Sequence, residues 1–481
     1  MALQSHIESL ISTMTRAEKR YFKVNASKNG DAANKQFIKL FDAIDKGKEL
    51  PIGKGENRSV TNAYLYNSVL DCLVSFHARN SDSAQIDRLI QQGDALRKRG
   101  LGQQAVSLFL KAENLAQQHQ DFVRLQLVYW HLRAILATNT KLGSMELTME
   151  YVLEQNLRTA KEIELLARLR FIQYQFQQTI SKAANITDDM IGELNAAIES
   201  QAMKDVKDDS GFFAQLTAYN IRSQYYSIVN DHENGLLMSR RVFELCHQQK
   251  DILKERGRLM IGSANNYMMR CLRAGQFEEI KRVLDLLEME QPRNRSTELI
   301  LTETYLSNLL NYHINTHKNE HDQVLKLVEN RLEGVSESMN QAFLMFIYTL
   351  CSAYAFYGGG FRKALKWINL YLNHENRSSL EKSLDVAEDY RLIIYYEQGK
   401  LDLLDNILNN PDTKSASGDF PLVRTAIRSF LLKELNHSEK HTKNTMELLT
   451  ELNQLKAEQK ETQAFEFFRF DDWANSKTAN P

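Results

Sequence analysis

Apolar positions along the chain recur at intervals of three and four, the spacing that lines one face of an α-helix. Ala105, Leu108, Phe109 and Ala112 show it in GLGQQAVSLFLKAENLA, and GQFEEIKRVLDLL, GGFRKALKWINLYL and GKLDLLDNILNN repeat it from Gly275, Gly359 and Gly399. These amphipathic runs are separated by short breaks at Gly100-Leu101, Leu142-Gly143, Asn185-Ile186, Asp231-His232, Gly275-Gln276, Lys318-Asn319, Gly359-Gly360 and Gly399-Lys400, 40 to 46 residues apart. A polar connector follows most breaks after about twenty residues, as in QPRNRS (291–296), NHENRSS (373–379) and NPDTKSASGD (410–419). Each unit therefore reads as two helices and two turns. A lone helical hairpin cannot bury its apolar face, so a fixed period means that neighbours stack on one continuous core. The expected fold is all-α, a right-handed α-solenoid of about eight helix-turn-helix repeats with a period near 43. Pro51, Pro292, Pro411 and Pro421 all fall in connectors, where a missing N–H costs little.

The ends depart from the period. Residues 1–80 read as an N-terminal helical module of three or four helices, with Thr15-x-x-Glu18 as a capping box and KGKELPIGKGENRS (46–59) as a flexible connector. The repeat array occupies 81–436. A polar helix opens the last segment, 437–481, and leads into AFEFFRFDDWANSK, where Phe465, Phe467, Phe468, Phe470 and Trp473 crowd together. A tail this aromatic is expected to fold back and seal the last repeat, or else to dock on a partner.

The pattern in DALRKRGLGQQAVSLFLKAENLA and NYMMRCLRAGQFEEIKRVLDLL resembles tetratricopeptide repeats, although the period exceeds the 34 residues of that family. TRAEKRYFK (15–23), KLFDAID (39–45) and NAYLYNSVL (62–70) make the layout similar to uncharacterised helical-repeat proteins of Bacteroidota, which implies no activity. The tetratricopeptide resemblance implies that the first helix of each repeat lines a concave face. Asn220, Arg222, Asn266, Arg270 and Asn308 precede their turns on such helices, where Asn and Arg side chains can hold a peptide backbone or carboxylate. The alternative is that these residues sit at the core edge or face solvent.

Composition narrows the class further. The chain has 481 residues, 43% hydrophobic and 25% charged, which excludes a disordered, collagen-like or membrane-embedded protein. Sixty basic and sixty-one acidic residues leave a net charge of -1, without the positive field of non-specific nucleic-acid binders. Locally the balance shifts. Residues 237–282 hold ten basic side chains, Arg256 among them, against five acidic ones, and 375–412 hold nine acidic against four basic. Such blocks suit a charged peptide partner, or are merely solvated faces. Arg16, Lys19, Arg20, Lys23 and Lys28 alternate with Tyr21 and Phe22 as in an ordinary amphipathic helix, so nucleic acid is not expected as a partner. Cys72, Cys246, Cys271 and Cys351 lie far apart in apolar patterns and read as buried hydrophobes in a reducing compartment. MALQSHIESLISTM lacks a signal peptide's charged start and apolar core, which points to a cytoplasmic location. The uncharged stretch Ser338–Phe361 keeps the repeat register and reads as a buried helix, with no membrane partner.

Candidate chemistry is thin. His313, His317 and His321 recur every four residues, and HKNEH matches the H-x-x-E-H pattern of inverted zinc proteases, but a turn expected at 318 separates the last two. Gly47 to Lys54 fails as a P-loop in both spacing and its final residue. Gly358, Gly359 and Gly360 before Arg362 and Lys363 suggest an anion-binding turn, or simply the turn the register requires. No G-x-S-x-G elbow occurs. The expectation is a non-catalytic protein-interaction scaffold that needs no metal or cofactor and binds a protein or peptide through Asn220, Arg222, Arg256, Asn266, Arg270 and Asn308. A peptide-responsive regulator whose N-terminal module engages a second partner is the alternative, and a zinc-dependent hydrolase the distant one.

Overall fold

A computed structural model of the chain describes residues 2–28, 32–47, 58–78, 81–138, 147–182, 187–253, 256–292, 294–316, 320–374, 381–410, 420–458 and 460–479. Among these residues the fold is helical, with no strand. The chain divides into two compact units, Met1–Met260 and Ile261–Pro481.

The first unit opens with α1 (Ala2–Thr13), α2 (Arg16–Lys28), α3 (Ala32–Asp45) and α4 (Arg58–His77), which share a core containing Ile7, Ile11, Phe22, Phe41, Leu65 and Val69. The capping box forms as the sequence predicts: Glu18 accepts the Thr15 N–H at 2.6 Å, and Thr15 Oγ1 accepts the Glu18 N–H at 3.3 Å. The second oxygen of Glu18 pairs with His77 of α4 at 2.6 Å, tying α2 to α4. Next come α5 (Asp82–Lys98), α6 (Gly102–Gln118), α7 (Phe122–Thr138), α8 (Met149–Lys182), α9 (Asp188–Ile198), α10 (Gln201–Asp205), α11 (Phe212–Ile228) and α12 (His232–Gln248). Helices α5 and α6, and α11 and α12, pack as antiparallel hairpins.

Helix α13 (Gly257–Arg273) spans the division. The second unit continues with α14 (Phe277–Glu288), α15 (Arg295–Thr316), α16 (His321–Leu332), α17 (Gln341–Tyr357), α18 (Phe361–Leu372), α19 (Glu381–Glu397), α20 (Leu401–Asn409), α21 (Pro421–Asn436), α22 (His441–Ala457), α23 (Thr462–Phe467) and α24 (Phe470–Ala479). The second helices of successive hairpins, α14, α16, α18 and α20, start 40 to 44 residues apart. The first helices stack on one another, α15 on α17 and α19 on α21, as a helical repeat requires.

One turn recurs at five of the eight sequence breaks. A residue in the left-handed region ends the first helix, namely Gly100 (φ 79°), Asn230 (φ 56°), Gly275 (φ 67°), Gly359 (φ 70°) and Gly399 (φ 68°). The next residue donates its N–H five residues back: Leu101 to Leu96 (3.0 Å), Asp231 to Tyr226 (2.9 Å), Gln276 to Cys271 (2.8 Å), Gly360 to Ala355 (2.8 Å) and Lys400 to Tyr395 (3.0 Å). This is a Schellman closure, which satisfies carbonyls that the helix end leaves open. Gln120 (φ 48°) makes the same turn between α6 and α7. The breaks at 142–143, 185–186 and 318–319 include residues outside those described, as do Pro51, Pro411, most of the 46–59 connector and most of the 373–379 and 410–419 connectors.

The structure departs from the period between 143 and 185. One continuous helix, α8, runs for 34 residues where the period predicts a hairpin. Its sequence contains neither glycine nor proline, so nothing stops it midway. The uncharged stretch 338–361 becomes α17, with Met345, Ile347, Cys351, Tyr354 and Ala355 buried. No described helix is long and apolar enough to cross a membrane.

Candidate functional site

Within the second unit the aromatic tail gathers side chains from distant parts of the sequence. Glu461, itself in the left-handed region (φ 53°), starts the tail. Its carboxylate accepts the N–H groups of Leu422 (3.0 Å) and Val423 (2.8 Å), the open donors at the first turn of α21. From there α23 packs against α19 and α24 against α22, and tail side chains reach Asn315 of α15, Tyr357 of α17 and Glu397 of α19. Phe468 is 2% exposed. Its ring stacks on Tyr357 (centroids 5.6 Å, 6°), meets Phe356 edge-on (5.3 Å) and lies 4.3 Å from Tyr390. Trp473, also 2% exposed, packs edge-on against Phe430 (5.7 Å).

Polar contacts fix the register of the tail. Glu397, the last residue of α19, accepts the Trp473 indole N–H on Oε1 (2.7 Å), and the Lys477 ammonium bridges both of its oxygens, 2.5 Å from Oε1 and 2.7 Å from Oε2. Arg469 donates to Asn315 near the end of α15 (2.5 Å), and Lys456 of α22 pairs with Asp471. The two tail cations thus meet helix C-termini, where the backbone dipole favours positive charge. A cavity of about 460 Å³ remains beneath α24, walled by Phe356, Tyr357, Glu397, Arg469 and Trp473. Burial pushes the phenols of Tyr357 and Tyr390 well up, so both stay neutral packing groups.

The tail therefore folds back, and it does more than cover the last hairpin. Sequence reading picked out its aromatic residues but missed the receiving side chains Asn315, Tyr357, Tyr390 and Glu397. Only the acidic excess across 375–412, which contains Glu397, gave a hint.

The residues expected to bind a partner are dispersed. In the first unit the Asn220 amide donates to Leu216 O of its own helix (2.9 Å), and Arg222 donates to Met203 O (3.3 Å). Arg256 is exposed, with its guanidinium 4.4 Å above the Phe213 ring. In the second unit Asn308 is buried, and its amide donates to Asn265 Oδ1 and Thr304 O, both at 2.8 Å. Asn266 is exposed on α13. Arg270 is half-buried, and burial followed by the Arg273 charge lowers its pKa.

The other candidate motifs resolve locally. The amides of Gly358, Gly359 and Gly360 donate to Tyr354 O, Phe356 O and Ala355 O, so they close the α17–α18 turn and present no cradle to an anion. Beside this turn the His321 ring stacks on Tyr354 (4.4 Å) and fills the space that a side chain at Gly358 would need. His313 lies buried on α15 and His321 half-buried on α16, while His317 falls outside the described residues. Among the described residues no group of three His, Cys, Asp or Glu side chains converges as metal ligands would. All four cysteines are buried and unbridged. No protein-family model and no curated protein matches the chain.

Proposed function

We propose that the protein is a non-catalytic, cytoplasmic protein-interaction scaffold, a right-handed tetratricopeptide-like solenoid of about eight repeats. The observation that carries this reading is that the stacked hairpins of the second unit hold an aromatic peptide segment, the chain's own tail, through a pocket of Phe356, Tyr357 and Tyr390 with Glu397 at its rim. A surface built from rigid helix ends is preformed, so little ordering entropy is lost when a partner docks. The recurring Schellman turn supports the repeat assignment. Arg256 and Asn266 are the proposed partner-facing residues with the greatest exposure; Asn220 and Asn308 spend their amides on internal bonds.

The test is affinity capture from an extract of the source cells, followed by reconstitution with the purified partner. The scaffold reading expects a defined partner that binds the wild-type chain with fixed stoichiometry and is weakened at least tenfold by Arg256→Glu or Asn266→Ala. Absence of any reconstitutable partner overturns it.

A further inference from the structure

We infer that the tail footprint on the second unit is a docking site for an aromatic helical segment of another protein that carries an arginine and a lysine at the spacing of the tail's own, and that the chain's own tail holds the site until such a segment displaces it. The inference rests on the scaffold reading and names its partner by chemistry.

The footprint has three parts. The first is an aromatic slot, Phe356, Tyr357 and Tyr390, that takes a ring on three sides. The second is Glu397, which accepts an indole N–H and, four residues further on, an ammonium that bridges both carboxylate oxygens. Such bonds to a charged acceptor are directional and stronger than neutral ones. The third is Asn315, which accepts from an arginine that follows the slotted ring. A ligand therefore needs a phenyl ring, a cation next to it, an indole about five residues on, and a lysine one helical turn after that.

The tail is built to be exchanged. Helices α23 and α24 contain six and ten residues, below the roughly 12–15 at which an isolated helix becomes stable in water, so the footprint orders them. The anchor that fixes the start of the tail, Glu461 capping α21, lies before the footprint and can persist when the tail leaves. A tethered tail competes at an effective concentration on the order of millimolar. A partner segment binds only when its intrinsic affinity, or additional contacts, exceeds that competition. Weakening the tail must then raise affinity for a peptide added from solution.

The experiment uses the full-length protein and a fluorescent peptide of residues 462–479 as the probe. Trp473→Ala is expected to bind the peptide at least tenfold more tightly than wild type, and adding Glu397→Gln is expected to abolish that gain. Equal affinity of wild type and Trp473→Ala, or a gain indifferent to Glu397→Gln, overturns the proposal. A gain accompanied by doubling of the mass without peptide also overturns it, assigning the site to the tail of a second copy. Should Trp473→Ala fail to fold, hydrogen exchange on the wild-type chain decides. Excess unlabelled peptide must then accelerate exchange of the amides of residues 465–477, and unchanged protection refutes displacement. Because only purified components are used, failure here leaves the capture test of the scaffold reading independent.

Discussion

Asp389 of α19 has no exposed surface, and its carboxylate accepts from Arg424 Nε (2.8 Å) and Arg428 Nε (2.7 Å) of α21. Burial pushes its pKa up, and the two guanidinium groups counter that only in part. Removing one partner of such a cluster leaves charge in a dry site, which costs about 3 kcal/mol or more. Arg424→Met should lower stability by about that amount in urea denaturation. His131 makes a pH-dependent contribution. It is buried on α7, its ring stacked on Phe109 (4.8 Å, 12°), and burial lowers its pKa despite Asp94 3.7 Å away. The folded state thus favours the neutral ring, while the unfolded chain takes up the proton at the ordinary histidine value. Its contribution is full above that value and is lost as pH falls towards the lowered one. Thermal midpoints measured between about pH 8 and pH 5 should fall with acidity, less steeply in His131→Phe. At this scale the sequence was least informative. Asn308 and Asn266 occupy similar positions before their turns, yet one is buried against Asn265 and the other faces solvent. Neighbouring helices decide that difference.

The helices and their turns were far more legible, because the turn chemistry is local. A left-handed residue with a bond five residues back requires only a short sequence signal, and glycine supplies it at Gly100, Gly275, Gly359 and Gly399. At Gly275 no atom lies within 4 Å of where a Cβ would stand, so strain in the backbone is the whole cost of a side chain. Gly275→Ala should therefore destabilise by about 1–2 kcal/mol, read as a lower urea midpoint with an unchanged slope. Helix α8 shows where the period misleads. A repeat length places a turn midway, but MEYVLEQNLRTAKEIELLARLRFIQYQFQQTISK has no glycine or proline, and helix propagation continues. Local stop signals outweigh the average period.

In the whole molecule, the consequence of the tail became visible only through contacts across large sequence separations. Arg469 meets Asn315 154 positions earlier, and Lys477 meets Glu397 80 positions earlier. The sequence by itself determined the all-helical class, five of the repeat turns, the N-terminal capping box and the burial of an aromatic tail. Each of these follows from side chains interacting within one or two helical turns, or from the aversion of apolar surface to water. Tertiary structure alone decided which helix ends receive the tail, which asparagines are spent internally, and that a carboxylate at the end of α19 binds both an indole and an ammonium. Those outcomes depend on which surfaces stacking brings together, and a hydrophobic period specifies that a face is buried without naming its neighbour.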